Sequence, residues 1–267
     1  AVWELKGRYP AILDCPKYGE EARMLISEAR VMLDRIVNEK LLRASCVYAH
    51  LPSNSSGDCI EVYKDESRSE VLHSFPMMRQ QRDPRGERGC RSLADFVAPK
   101  ESEIRDYVGF FALTAGLGLD ELTAELRAQN DDFQAILAAA LADRLAEAFS
   151  GILHERVAGE GVGIRPAPGY PACPDHRLKS DIFEVLQAEK RIGLSLTESW
   201  SMMPASSISG FYFSHPEAIY FGVGSIGEDQ LAWLAEQRGL DLQEAARSIG
   251  STAGGSPPVE TVSSPAN

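Results

Sequence analysis

Four prolines fall within nine residues of this chain, at 166, 168, 171 and 174. They lie inside the run Gly163-Ile164-Arg165-Pro166-Ala167-Pro168-Gly169-Tyr170-Pro171-Ala172-Cys173-Pro174-Asp175-His176. Each proline fixes its own φ and pushes the preceding residue toward extended conformations. Arg165, Ala167, Tyr170 and Cys173 are therefore expected to be extended. A strip with so few backbone donors cannot be a central strand, and it loses little entropy when a ligand lies along it. The amides of Ala167, Gly169 and Tyr170 are expected to stay available, with Gly169 allowing close approach to the backbone. Arg165 offers a planar fork suited to a carboxylate, and Tyr170 a ring face and a hydroxyl. Together these residues suit a small zwitterionic or aromatic ligand. A proline-rich connector between two packed elements accounts for the same residues.

The 267 residues, 44% of them hydrophobic, are enough for one large domain or two small ones with a substantial core. A formal net charge of −12 argues against nucleic acid as a partner, because phosphate binding needs a basic face. No apolar run is long enough to span a bilayer. No secretory signal is visible, and a start at Ala1 is expected of a fragment. The five cysteines, odd in number and irregularly spaced, fit a reducing, cytoplasmic location better than a disulfide framework.

In chain order, Glu20 to about Leu42 predicts a helix with Met24, Leu25, Val31, Met32, Ile36 and Val37 on one side. Cys46–Ala49 predicts a short strand, residues 52–58 a turn by composition, and Ile60–Tyr63 the paired strand. Val71–Phe75 follows as a third strand. Residues 79–92 are expected to form an exposed loop, and Tyr107–Leu113 a central strand. Asp120 is a candidate cap for a short helix. A long helix from Asp131 or Asp132 to about Val157 would bury Phe133, Ile136, Leu137, Ala140, Leu141, Ala148, Phe149 and Ile152. Ser180–Lys190 predicts a helix, and residues 211–213 and 219–223 two strands. Two closing helices run over 227–238 and 242–249. Residues 250–267, rich in Gly, Ser, Pro and Thr, are expected to be a disordered tail. Hairpin strands interrupted by long helices predict an α+β fold, a mainly antiparallel twisted sheet with long flanking helices.

The proline strip closely resembles a signature of cobalamin-dependent methionine synthase, in its C-terminal activation domain. Further segments resemble that family in family order: Trp3–Pro10, Asp58–Tyr63, Arg79-Gln80-Gln81, Leu93–Lys100, Ala142–Phe149, Leu153–Val157, Leu196–Ser199 and Gly210–Pro216. The resemblance covers about residues 3–249. It implies that residues 1–249 form an activation domain that binds S-adenosylmethionine. Arg165 would grip the ligand carboxylate, Ala167 would contact it through the backbone, and Tyr170 would pack or hydrogen-bond. The family lines the site with an aromatic pair, usually Tyr-Tyr, matched here by Tyr220 and Phe221. Phe221 removes any hydroxyl role at its position but leaves a ring or backbone contact. In an alternating strand, one of the two faces the core and the other away; simple packing on both faces is the alternative.

Asp143 and Glu147 share a helix face, with Arg144 three residues before Glu147. Glu147 matches a family acidic position near the ligand, suited to the sulfonium and amino charges; a solvated face with an Arg–Glu pair is the alternative. Cys173 and His176 have C-x-x-H spacing, but no second pair stands at suitable spacing, so no zinc site is expected. Cys173 is expected to be a packed thiol. No nucleophile constellation is present, so no catalytic residue is assigned.

The resemblance implies reductive methylation of cob(II)alamin, with S-adenosylmethionine as methyl donor. Cobalamin would be held by a separate module of the methyltransferase, and a flavodoxin-like protein would donate the electron. The chain alone is expected to bind the ligand but not to make methionine. The alternative is a stand-alone, non-catalytic reactivation protein acting in trans on a corrinoid protein. Two departures from the family pattern fall near the site. The Asp-Trp-x-Pro-Phe-Phe-like segment that precedes the Trp-x-Leu opening, with its ligand-binding aspartate, is not in these residues. The stretch between Val157 and Gly163 is shortened to residues 158–162, with Glu160 as a candidate acid. Weakened affinity is expected from both.

Overall fold

A computed structural model describes residues 5–82, 89–159 and 161–250. The expected tail beyond residue 250 and the candidate acid Glu160 lie outside the described residues. In chain order the main elements are α1 (Gly19–Glu39), β1 (Arg43–Ser56), β2 (Cys59–Tyr63), β3 (Val71–Pro76), β4 (Asp106–Leu117), α2 (Leu119–Ala128) and α3 (Asp132–Ala158). They are followed by α4 (Leu178–Leu186), α5 (Ala188–Ile192), β5 (Ser195–Leu196), β6 (Met202–Met203), β7 (Ser207–Tyr212), α6 (Glu228–Arg238) and α7 (Leu242–Ile249). Five strands form one sheet in the order β3-β2-β1-β4-β7, and β5 and β6 form a separate ribbon. The β1–β2 and β2–β3 pairs are antiparallel, with Ser56 opposite Cys59 and Ile60 opposite Phe75. This is the expected α+β fold. Among the described residues no helix is long and apolar enough to cross a membrane.

Several local expectations are corrected. The turn-like residues 52–56 belong to β1, and only Gly57 and Asp58 turn the chain. Polar residues sit in this strand because neighbouring backbone satisfies them. Asn54 Nδ2 donates to the carbonyls of Ala98 and Ile104 at 3.0 and 2.8 Å, and Ser55 Oγ donates to Val97 at 2.9 Å. The residue before α2 is Gly118, and Asp120 lies in the first turn, where its charge meets the positive end of the helix dipole. Residues 178–192 form two helices because Gln187 takes a left-handed conformation, φ 52°. Residues 219–223 form no strand. In the expected exposed loop, Gln80 and Ser92 are buried, and Arg79 bridges Asp58 and Asp95 at 2.5 and 2.6 Å.

The described residues divide into two compact units, within 1–45, 114–150 and 204–207, and within 46–113, 151–203 and 208–267. The first has an aliphatic interior of Met32, Ile36, Leu119, Leu122, Leu126, Ala135, Leu137, Ala138 and Ala142. Helix α1 contributes Ala22, Met32 and Ile36, leaving Met24, Val31 and Val37 exposed. Helix α3 buries Ala135, Ala138, Ala142 and Ala146, while Phe133, Ile136 and Ile152 are exposed. Met32, Ile36 and Leu137 are buried as the 3.6-residue period predicted, but the rest of the buried face of α3 is built largely of alanines. The second unit has an aromatic interior. Phe75 packs on Phe110 and Phe211 at 5.1 and 5.6 Å between ring centroids, and Leu93, Leu178, Ile182 and Phe213 join the same cluster.

Candidate functional site

The proline strip lies in the second unit, on the edge of β7. Its first residue, Gly163, takes φ +69°, and a Cβ there would fall 2.0 Å from the Phe213 carbonyl oxygen. Only glycine fits that approach in that conformation. The amide of Ile164 donates to the Phe213 carbonyl, and that of Phe213 to the Ile164 carbonyl, both at 3.0 Å. The Phe211 amide donates to the Pro166 carbonyl at 3.0 Å. Carbonyls that the prolines leave without amide neighbours are thus used by β7. Extended backbone then alternates: Ile164, Pro166 and Pro168 are buried, while Arg165 and Ala167 are half-buried on the other face.

After Pro168 the strip closes on itself, which corrects the expectation that three amides stay available. Gly169 donates to Cys173 at 2.7 Å, Cys173 to Tyr170 at 2.8 Å, and Tyr170 to Ala167 at 3.2 Å. Of the three amides, only that of Ala167 lacks a partner among the described residues. Gly169 takes φ +94°, and a Cβ on it would lie 2.4 Å from Cε1 of His176, whose ring fills that space. Lys179 Nζ is 2.9 Å from His176 Nδ1, and burial holds both groups below their ordinary ranges. Cys173 is a buried thiol whose pKa burial pushes up. Among the described residues no three or more His, Cys, Asp or Glu side chains are placed to hold a metal ion.

Arg165 donates its backbone amide to the Tyr220 hydroxyl at 2.9 Å. Its guanidinium has no hydrogen-bond or ion-pair partner among the described residues. Nη1 lies 3.7 Å from where a Cβ would stand on Gly151 of α3, so a glycine leaves room beside it. Tyr170 and Tyr220 are 61% and 60% exposed, which leaves their ring faces accessible. Phe221 turns inward, 6.2 Å from the Phe96 ring. The structure therefore brings Arg165, Ala167, Tyr170, Tyr220 and Phe221 to one stretch of the second unit. Glu147 is exposed on α3, within the first unit. One turn earlier, Asp143 accepts a 2.6 Å hydrogen bond from Ser206.

Two residues that spacing did not single out stand within electrostatic reach of the Arg165 guanidinium. Tyr212 is 1% exposed, stacked between Phe111 at 4.6 Å and His154 at 5.3 Å. Its buried hydroxyl has no hydrogen-bond partner among the described residues, and burial raises its pKa against the opposing charge of Arg165. Burial, and then the Arg165 charge, hold His154 below the usual histidine range. His154 Nε2 donates to the Val162 carbonyl at 3.1 Å. Sequence held no signal for Tyr212 and His154 beyond their places in the family-like segments Gly210–Pro216 and Leu153–Val157.

At the other end of the strip, Asp175 is fully buried. It accepts from Nε of Arg238 at 3.0 Å, and Asp181 accepts from Nη2 of the same arginine at 2.8 Å. His73 Nε2 stands 3.4 Å from Asp181. Burial alone would raise the Asp181 pKa; the His73 hydrogen bond and the Arg238 charge outweigh it and hold the carboxyl below its usual range.

Comparison with known proteins adds two findings. The family model for the vitamin B12 dependent methionine synthase activation domain matches residues 1–162 and 158–239. The two stretches meet where sequence comparison puts the shortened 158–162 segment. Among solved structures, the chain is similar to a crystal structure of the MetH reactivation domain bound to AdoHcy. The two are 44% identical with a TM-score of 0.89, over 94% of this chain and 83% of that one.

Proposed function

Because the chain belongs to the activation-domain family of vitamin B12-dependent methionine synthase, we propose that it binds S-adenosylmethionine along residues 165–170 and presents the sulfonium methyl group for reductive methylation of cobalamin. The observation that carries this reading is the Arg165 guanidinium. It is charged, half-buried and without a hydrogen-bond partner among the described residues, on a backbone tied to β7 on one face and to Tyr220 on the other. A buried-edge cation without a counter-charge is a poor structural element and a good carboxylate receptor. The solved relative, 44% identical, holds AdoHcy, the product of methyl donation, and so supports a ligand of this class.

The residues divide the work as follows. Arg165 binds the carboxylate in a bidentate fork, and the Ala167 amide donates to the ligand. Tyr170 and Tyr220 offer ring faces at the rim, and the Phe221 backbone lines the site beside them. On this reading the chain's contribution is orientation of the methyl group, which converts a bimolecular encounter into a positioned one. Cobalamin would be held by a separate module and would supply the methyl-accepting cobalt centre, with the one electron coming from a flavodoxin-like donor. On this reading the chain alone makes no methionine.

Calorimetric titration tests the reading directly, with S-adenosylmethionine, S-adenosylhomocysteine and decarboxylated S-adenosylmethionine. The two carboxylated ligands should bind more tightly than the third. Equal binding of all three, or none, would overturn it.

A further inference from the structure

Residues 214–227 carry no strand or helix, yet they hold Tyr220 and Phe221. With no ladder to place them, their position comes from individual hydrogen bonds and from the packing of Val223 and Ile226 against Met78, Leu234 and Ala235. Gln80, 8% exposed, makes the central hydrogen bond: its Nε2 donates to the Gly222 carbonyl at 2.8 Å. Its Oε1 accepts from the Arg91 amide at 3.1 Å, and its own amide donates to the Arg91 carbonyl at 2.8 Å. The side chain is thereby held at both ends. From the other side, the Val223 amide donates to the Pro171 carbonyl at 2.8 Å, tying the same point to the proline strip. Gln81 holds the end of the segment, accepting from the Gly227 amide at 2.5 Å and donating to Asp229 at 2.7 Å.

We propose that Gln80 is a positioning residue for the ligand site. It fixes the Gly222 carbonyl, and through it the stance of Tyr220 over the Arg165 amide and the inward packing of Phe221. The inference rests on the reading of residues 165–170 as the ligand strip. It gives the Arg79-Gln80-Gln81 motif a task that no ligand contact would assign to it. Arg79 anchors the loop on Asp58 and Asp95, and the two glutamines reach from it to the segment.

The test uses the full chain as wild type, Gln80→Glu, Gln80→Met, Tyr220→Phe and the double variant Gln80→Met/Tyr220→Phe. Gln80→Glu keeps the acceptor for Arg91 and loses the donor to Gly222; Gln80→Met keeps the length without a buried charge, should the first variant fold poorly. Hydrogen exchange at the Val223 amide should quicken about tenfold in both Gln80 variants, while exchange within β2 and β4 stays unchanged. Binding of S-adenosylhomocysteine should weaken roughly tenfold, the scale of one lost hydrogen bond. If Gln80 acts through Tyr220, the double variant should lose no more than the worse single variant. Additive losses, or unchanged Val223 protection with unchanged affinity, would overturn the proposal. Failure of wild type to bind would overturn the ligand strip and this inference with it, whereas binding by wild type and variants alike overturns the inference alone.

Discussion

One strip is bounded by two arginines in opposite circumstances. Arg238 reaches the Asp175 end, where it is almost wholly buried and paired with two carboxylates at 3.0 and 2.8 Å. Arg165 stands at the head, half-buried, with its guanidinium meeting neither a carboxylate nor a carbonyl among the described residues. The same side chain serves as a structural pin in one place and as a receptor in the other. Burial with satisfied partners makes the pin: taking either partner away strands a charge out of water. Burial with an unsatisfied fork, on a backbone already tied on both faces, makes the receptor.

That contrast predicts separable effects on stability and on binding. Arg238→Ala leaves Asp175 and Asp181 buried without their counter-charge, and unfolding in denaturant should show a loss of about 3–5 kcal/mol. A loss under about 1 kcal/mol would mean that the pair is not a pin. Arg165→Ala should reverse the pattern. The midpoint of unfolding should hold, while affinity for S-adenosylmethionine falls tenfold to a hundredfold, the loss of a charged hydrogen bond worth about 1.5–3 kcal/mol. Arg165→Lys should recover only part of it, because an ammonium cannot fork, and a mutant that still prefers the carboxylated ligand as wild type does would break the comparison.

Gly169→Ala probes the turn between the two arginines. A non-glycine residue at φ +94° costs about 1–2 kcal/mol for the backbone alone, and the His176 ring must also move. Stability and affinity should therefore fall together, which neither arginine change should do; calorimetry and thermal melting on one sample would show it.

The smallest effect expected is that of pH. His154 and His176 have pKa values held below the ordinary 6.5, chiefly by burial. The unfolded chain then binds more protons than the folded one, so stability is full above about pH 6.5 and declines as pH falls below it toward the folded values. Asp181, also lowered, acts further down: its contribution is lost only as pH falls below 3.8. Thermal melts between pH 7 and 5 should fall modestly in wild type and less in His154→Gln. No slope over that range would remove the two imidazoles from the account.

Patterns that depend on neighbours in sequence were legible. The prolines announced an extended strip, and the helices α1, α3, α6 and α7 appeared near their predicted ends. The failures have one source. Asn54 and Ser55 suggested a turn because their polarity was visible and their partners, Val97, Ala98 and Ile104, were not. Met24, Val31 and Val37 of α1 stayed exposed, and α3 buried mostly alanines, because a helix packs with whichever face its neighbour can approach. Residues 219–223 alternate like a strand but have no ladder to join, and Gln80 holds them instead.

Sequence by itself therefore determined the α+β class, the family and the rigid strip with Arg165 at its head, since φ restriction and local order are covalent properties of the chain. Only the tertiary structure decided which of the strip's amides were already spent, which arginine was paired, and that Tyr212 and His154 stand beside Arg165. Those depend on groups far apart in sequence meeting at hydrogen-bond distance, and no local pattern encodes which donor finds which acceptor.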